Sequence, residues 1–233
     1  TALELTRELT RDHPGRVPGS PDADGAARWF EEKLRLFGIP VEEDVWQADV
    51  PGLGEVALRN LTAIVRGTLE DRIVVVANRD NREGSSGAND NASGTAALVE
   101  LARAYATVGT GGAQPRRPLH TIVFLSTDAG AYGDLGAARF ARSEDADRAV
   151  ATLVLTGLAG RATPHVELAG LEHRSPPAAL VRTLIARLGD ERAPPARPGV
   201  LEQLVALGIP LALGEQGPLL GAGIPAIRLG TAP

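Results

Sequence analysis

The stretch that decides the fold is residues 74–105, VVVANRDNREGSSGANDNASGTAALVELARAY. It begins with an apolar run rich in valine, which is typical of a buried strand. A polar loop and a GANDN turn at residues 87–91 follow, and apolar residues then recur at helical spacing from about Ala92 to Thr107. This order predicts that the turn lies at the carboxyl end of a strand, where open α/β sheets bind their ligands.

Length and composition restrict the classes of protein. The chain has 233 residues, of which 43% are hydrophobic, and this predicts a single domain over residues 1–233 with one substantial core. Its net charge of −5 and the absence of basic runs exclude an extended nucleic-acid surface. There is no cysteine, so disulfides, thiolate ligands and a cysteine nucleophile are excluded. The apolar runs are too short to span a membrane, although a signal or membrane segment could precede Thr1.

The chain on both sides of this stretch alternates between helical and strand-like patterns. Ser20 and Pro21 are suited to cap and begin a helix that Gly38 ends. The segments 60–67 and 72–78 are strand-like, and we expect them to be neighbours in a sheet. Further segments are assigned as strands (119–127, 151–157 and one near the end), helices (134–143, and 175–189 with Ser175 as its cap and Pro176 in its first turn) and a rigid loop (192–199). The pattern predicts a three-layer α/β/α fold with a mixed, largely parallel central sheet.

Four stretches resemble one known family. They are RVPGSPDADGAARWFEEKLRLFGIPVE (16–42), NLTAIVRG (60–67), GANDNASGTAALVELARAY (87–105) and GAGIPAIRLGT (221–231). The chain resembles the di-zinc aminopeptidases of metallopeptidase family twenty-eight, whose members include bacterial leucyl aminopeptidases and two non-peptidase relatives, the transferrin receptor ectodomain and nicastrin. The resemblance implies a zinc-aminopeptidase-like fold of the phosphorylase/hydrolase type. It also favours an extracytoplasmic or membrane-anchored protein.

The resemblance also implies where zinc ligands would stand. In the family, the strand matching 72–78 ends in His-x-Asp, where histidine binds zinc and aspartate orients it. This chain has Asn78, Arg79 and Asp80 there, so an amide replaces the imidazole. The family aspartate that bridges the two metals is retained as Asp90. Asp80 and Asp90 are therefore the remnants of the site.

The remaining family ligands have no counterpart in this chain. The Glu-Glu pair, in which one glutamate is the general base and the other a ligand, aligns with Gly130 and Ala131. A further aspartate ligand aligns with Gly157. The last ligand, a histidine, would follow Pro233, so the domain could be truncated before that region.

Two functions and a structural role follow from these positions. The first is an inactive pseudo-aminopeptidase without a cofactor, which binds a peptide or protein in the old cleft and could adjoin a membrane segment outside this chain. The alternative is an active zinc aminopeptidase with displaced ligands, Asp80, Asp90 and Asp128, plus a histidine beyond Pro233. A purely structural role in oligomerisation also stays open.

Several other polar residues have simpler interpretations. Asp128, Asp134 and Glu83 could bind a hard cation such as calcium, but solvated surface acids are the favoured interpretation. His13, His120, His165 and His173 lack the spacing of paired metal ligands. Asp90 and Asn91 are predicted to cap the helix that follows them, and Asn78 and Asp80 to form a hydrogen-bonded pair.

Overall fold

The computed structural model describes residues 1–105, 117–160, 163–170, 174–196 and 214–231. In this part of the chain the helices are α1 (Ala2–Asp12), α2 (Pro21–Leu36), α3 (Gly94–Arg103), α4 (Leu135–Phe140), α5 (Glu144–Asp147), α6 (Ala178–Asp190) and α7 (Gln216–Gly221). The strands are β1 (Val41–Val50), β2 (Gly54–Val65), β3 (Leu69–Asn78), β4 (His120–Thr127), β5 (Ala149–Leu155), β6 (Pro164–Glu167) and β7 (Ala226–Thr231).

The strands form one mixed sheet in the order β1-β2-β4-β3-β5-β7-β6. Its centre is parallel, because β3 pairs with β4 and β5, and β5 pairs with β7. The outer strands β1, β2 and β6 run antiparallel to their neighbours. The predicted sheet type is confirmed. The expectation that β2 and β3 are neighbours is wrong, because β4 lies between them and pairs with both. Helix α3 belongs to the crossover connection that leads from β3 to the parallel strand β4.

Two hydrophobic cores lie on opposite faces of this sheet, which gives the three layers. Successive residues of β3 point to opposite faces. Val75 and Ala77 pack in the core with α1, α2 and α3, whereas Val74 and Val76 pack in the core with α4 and α7. Because both faces are covered, the strand is an almost continuous apolar run.

The helix ends follow local capping rules. The Ser20 hydroxyl accepts a hydrogen bond from the backbone N–H of Ala23 at 3.1 Å, and α2 ends just before Gly38, which has a φ of +75°. The prediction for α6 is wrong, because its cap is Pro177 and not Ser175. A residue that precedes a proline is disfavoured in helical conformation, so the helix can begin only after the second proline.

Other parts of the chain add to or limit these assignments. The predicted end of α3, Thr107, and residues 197–199 of the predicted rigid loop lie outside the described residues. Helices α1, α5 and α7 and strands β1 and β6 have no counterpart among the predicted elements. Within the described ranges, no helix is both long and apolar enough to cross a bilayer.

Candidate functional site

A cleft opens at the carboxyl ends of the parallel strands, as the sequence predicts. Its inner part has a volume of about 500 Å³ and is lined by residues that include Asn78, Asp90, Gly130, Asp134, Glu215 and Arg228. An outer part of about 370 Å³ shares Asp90, Thr156 and Arg228 with it and adds His165 and Glu167. The positions aligned with family ligands thus border one continuous cleft.

Asn78 uses both polar atoms of its side chain within the protein. Its Nδ2 donates to the Asp80 carboxylate Oδ1 at 3.0 Å and to the Asp80 backbone oxygen at 3.2 Å. Its Oδ1 accepts a hydrogen bond from Asn91 Nδ2 at 2.9 Å. The predicted pairing of Asn78 with Asp80 is therefore present. Both polar atoms of the amide are thus engaged in hydrogen bonds within the protein.

The Asp80 carboxylate holds the backbone of the two positions where the family has glutamates. Oδ1 accepts from the Gly130 N–H and Oδ2 from the Ala131 N–H, both at 2.9 Å. Burial and, to a smaller extent, the nearby Asp128 raise the pKa of Asp80 to about 6, although these hydrogen bonds oppose the shift. The described contacts of Asp80 therefore serve a structural role, because they fix the backbone at Gly130 and Ala131.

Gly130 packs directly against Asn78. A Cβ atom added at Gly130 would lie 2.4 Å from Cβ and 2.6 Å from Cγ of Asn78, distances that real side chains do not adopt. A glutamate could not occupy position 130 unless Asn78 or the backbone moved. Gly157 is also restricted, because its φ of +58° lies in the left-handed region that favours glycine.

The GANDN turn joins β3, β5 and α3 through Asn91. The Asn91 Oδ1 accepts hydrogen bonds from the backbone N–H groups of Gly94 at 3.1 Å and Gly157 at 3.3 Å, and Nδ2 donates to the Leu155 carbonyl at 2.9 Å. The peptide bond between Asp90 and Asn91 is cis. The capping prediction agrees with these contacts for Asn91. It is wrong for Asp90, which is exposed and accepts a hydrogen bond from Thr156 instead.

Glu215 is a site residue that the sequence reasoning missed. It is 3% exposed, its Oε1 accepts a hydrogen bond from the Thr127 hydroxyl, and its Oε2 has no partner. Burial, together with the nearby Asp134 and Asp80, raises the pKa of Glu215 to about 8, although the Thr127 hydrogen bond and Arg228 oppose the shift. The sequence prediction placed site residues in loops that follow strands, whereas Glu215 precedes a helix. The sequence does offer one indication of this residue, since Glu215 and Gln216 form a polar pair between two glycines, Gly214 and Gly217.

Asp134 is the candidate acid that does reach the cleft. Burial, together with the charges of Asp80, Asp90 and Glu167, raises its pKa to about 7 against the opposing effect of Arg228. The solvated-surface interpretation is therefore wrong for this residue. A half-buried carboxyl group beside other carboxyls is costly to ionise, because its charge is poorly hydrated and repelled.

The other candidate ligands lie elsewhere. Asp128 is buried in an ion pair with Arg79 at 3.0 Å and also accepts from the Arg59 N–H, so the prediction of a solvated acid is wrong for it too. Glu83 is exposed and lies outside the residues that line the cleft. His165 borders the outer cleft, His13 and His120 do not line the cleft, and His173 is outside the described residues.

These side chains do not fit a di-zinc centre. In the described ranges, no group of three or more histidine, aspartate or glutamate residues is placed to hold a metal ion. Asn78 and Asp80 are committed to internal hydrogen bonds, and Gly130 and Ala131 offer no donor atom in their side chains. The displaced-ligand set that includes Asp128 is not assembled in the cleft.

Comparison with known proteins identifies the family. The family model described as Peptidase family M28 matches residues 60–200, which is more than half of the chain. The chain belongs to the M28 peptidase family. It is 34% identical to Transferrin receptor protein 2 of Mus musculus over 139 residues, which cover 52% of the chain and 17% of that protein. The curated relatives matched are much longer, and the chain spans between 10% and 26% of their length.

Solved structures of this M28 fold include two kinds of enzyme. The aminopeptidase from Aneurinibacillus sp. strain AM-1 superposes with a TM-score of 0.76 at 14% identity, with 100% of the chain and 84% of that structure covered. A Porphyromonas gingivalis glutaminyl cyclase gives a TM-score of 0.73 at 20% identity, with 99% and 82% covered. At these identities the likeness establishes the fold alone.

Proposed function

We propose that this M28 domain binds a peptide or protein ligand in its cleft and does not hydrolyse peptides. The observation that carries the proposal is the contact of Asn78 with Gly130, since a Cβ at position 130 would lie 2.4 Å from the Cβ of Asn78. This packing leaves no space for a glutamate where the family has its general base. General acid–base catalysis typically contributes about 10²–10⁴-fold in rate, so the lack of a general base alone would lower the rate of hydrolysis by a factor of this size.

The ligand is proposed to be a peptide or protein because the cleft keeps its open form. The inner and outer parts together offer a long, polar-lined opening with several convergent carboxyl and guanidinium groups. In a domain with a purely structural role in oligomerisation, we would expect side chains to fill the cleft. The match to part of a longer protein named a receptor supports a binding role within a larger, extracytoplasmic or membrane-anchored chain.

Hydrolysis is tested with the purified protein and a panel of aminoacyl chromogenic substrates, with zinc added and with a chelator. We expect no turnover in either condition and no difference between the wild-type protein and Asp90→Ala. Chelator-sensitive turnover that disappears in Asp90→Ala would establish the alternative, a zinc aminopeptidase with displaced ligands.

Binding is tested by filling the cleft. Ala131→Trp places a large side chain among the lining residues, and Ala57→Trp on the exposed side of β2 is the matched control. We expect fluorescently labelled short peptides to bind the wild-type protein and the Ala57 variant but not the Ala131 variant. Equal binding by both variants would remove the cleft as the binding site.

A further inference from the structure

Among the described residues, three carboxyl side chains and two guanidinium groups line the inner cleft. Asp90, Asp134 and Glu215 line it together with Arg82 and Arg228. Arg228 already forms an ion pair with Glu167 at 2.6 Å, so much of its charge is directed to a fourth carboxylate. These carboxyl groups can accept hydrogen bonds from a cationic group and become more readily ionised beside it, and this favours a cationic ligand over an anionic one.

The unpaired oxygen of Glu215 is a second and independent indication of a ligand. The residue is 97% buried, it lines the inner cleft, and its Oε2 has no hydrogen-bond partner, whereas its Oε1 is bound by the Thr127 hydroxyl. Buried polar atoms in native proteins nearly always have a partner. A ligand group that donates a hydrogen bond at this point would satisfy Oε2.

A metal ion is a poor candidate for that cation. Among the described residues, no three acidic or histidine side chains are close enough together to share one ion. An ammonium group has different requirements, because its three N–H groups point to separate acceptors at hydrogen-bond distance. The charge of the site therefore fits an organic cation better than a bare metal.

We propose that the inner cleft binds a primary ammonium group on an unbranched alkyl chain, such as a lysine side chain, with Glu215 and Asp134 as its acceptors. This proposal rests on the proposed function and names the ligand group that the cleft recognises. The depth of Glu215 decides the shape of the ligand. A straight chain reaches a carboxyl group that is 3% exposed, whereas a branched carbon next to the nitrogen would have to enter the same confined space.

The rest of the ligand has a place in the outer cleft. That region continues from the inner cleft through Asp90 and Thr156, and His165 and Gly230 line it. A peptide backbone lying there would direct a lysine side chain inward. Gly133, Gly214 and Val154 also line the inner cleft, and the methylene groups of such a side chain would lie against them.

Binding of such a cation should change the number of protons bound by the cleft. Burial holds the pKa of Glu215 at about 8 and that of Asp134 at about 7, so Glu215 is mainly neutral and Asp134 is only partly ionised at pH 7. The groups that face them are Asp80, Asp90, Glu167 and Arg228. An ammonium group beside them favours ionisation, and binding near pH 7 should therefore release protons to the solvent.

The test compares three peptides on the intact protein. The first is an acetylated and amidated pentapeptide of glycines with a central lysine, the second has norleucine in place of lysine, and the third has norleucine and a free amino terminus. We expect the lysine peptide to bind at least about tenfold more tightly than the other two, as for a buried charge-assisted contact. Calorimetry in buffers of different ionisation enthalpy should show proton release for the lysine peptide.

Two variants assign the effect to the named carboxyl groups. Glu215→Gln keeps the size and an acceptor for the Thr127 hydroxyl but cannot ionise, and Asp134→Asn removes the second ionisable carboxyl group independently should the first variant fold poorly. The matched control is Glu55→Gln, which removes an exposed carboxylate on β2 away from the cleft. We expect either cleft variant to abolish the preference for lysine over norleucine, and the control to retain it.

The possible failures separate the two proposals. Equal binding of lysine and norleucine peptides would overturn the ammonium site and leave the proposed function standing. Preference for the free amino terminus would replace the lysine side chain by an α-amino group and overturn the alkyl-chain proposal. Absence of binding by all three peptides, together with chelator-sensitive hydrolysis, would overturn the proposed function itself.

Discussion

At the scale of single residues, the cleft is organised by amides and carboxylates that bind one another. Asn78 links Asp80 to Asn91, and Asp80 in turn holds the backbone at Gly130 and Ala131. These bonds join the ends of β3 and β4 and the turn before α3, a linking role that a shared metal could otherwise perform. Asn78 and Gly130 are therefore closely packed against each other and their surroundings.

The contact between Asn78 and Gly130 predicts a coupled effect on stability. Gly130→Ala should lower the free energy of unfolding by about 1–3 kcal/mol, because the new methyl group overlaps the Asn78 side chain. In an Asn78→Gly background the same change should cost at least about 1 kcal/mol less. Urea denaturation of the four proteins in this cycle measures the coupling.

Gly189→Ala provides the control for that experiment. Gly189 lies in α6 with no atom within 4 Å of an added Cβ, so alanine there should leave stability unchanged or raise it slightly. If Gly130→Ala were as harmless as the control in both backgrounds, the packing argument against a glutamate at position 130 would be wrong.

At the scale of elements, a buried arginine fastens the N-terminal segment to the loop between β3 and α3. Arg16 is fully buried, and its guanidinium donates to the carbonyls of Arg79 at 2.7 Å, His13 at 2.7 Å, Gly87 at 3.1 Å and Ser86 at 3.4 Å. Burial lowers the pKa of Arg16 to about 10, so it remains charged at neutral pH. The loop that carries Asp80 and the GANDN turn thus depends on a residue far away in sequence.

Replacement of this arginine should loosen the loop. Arg16→Met removes the donors to four carbonyls and should lower the free energy of unfolding by at least about 3 kcal/mol. Hydrogen exchange of residues 80–92 should become faster. The exposed Arg35→Met on α2 is the control and should change neither quantity. Unchanged hydrogen exchange in the Arg16 variant would mean that the hydrogen bonds of Arg16 do not stabilise the loop.

Some helices and strands could be predicted from the sequence, and others could not. The strands β3, β4 and β5 and the helices α2 and α3 have clear periodicity, because they are long and pack against a defined face. The order of strands could not be deduced, because pairing between β2 and β4 depends on contacts distant in sequence. Strand β1 was missed because its alternation is obscured by charged residues on an edge of the sheet.

The site was predictable in position but not in detail. The family resemblance indicated Asn78, Asp80, Asp90 and Gly130. Asn78, Asp90 and Gly130 do line one cleft, and Asp80 is buried behind Gly130, whose N–H it binds. It gave no indication that Gly130 packs on Asn78, since that contact depends on side-chain geometry. Glu215 was not found, because its pKa and exposure depend on burial by residues from other elements.

At the scale of the whole molecule, the buried acids predict a dependence of stability on pH. The pKa of Glu215 rises from 4.5 to about 8 on folding, so the folded state binds more protons than the unfolded state between these values. Its contribution to stability is complete below about pH 4.5 and is lost as the pH rises through about 8. Asp80 and Asp134 act in the same direction up to about pH 6 and 7.

Glu215→Gln should remove the part of this dependence that belongs to Glu215. The wild-type free energy of unfolding should fall between about pH 5 and 8, with a slope of up to about 1.4 kcal/mol per pH unit from this group. The variant should show a shallower fall, so that its stability relative to the wild type improves as the pH rises. Chemical denaturation at several pH values tests this, and parallel curves for the two proteins would contradict the burial of an ionisable Glu215.

The central claim is that the cleft of this M28 domain no longer assembles a two-zinc centre, and zinc content tests it most directly. The purified protein is saturated with zinc, dialysed against metal-free buffer and analysed by inductively coupled plasma mass spectrometry, with Asp90→Ala treated in parallel. We predict that neither protein retains tightly bound zinc. Two zinc ions held per wild-type chain and lost in Asp90→Ala would contradict the account.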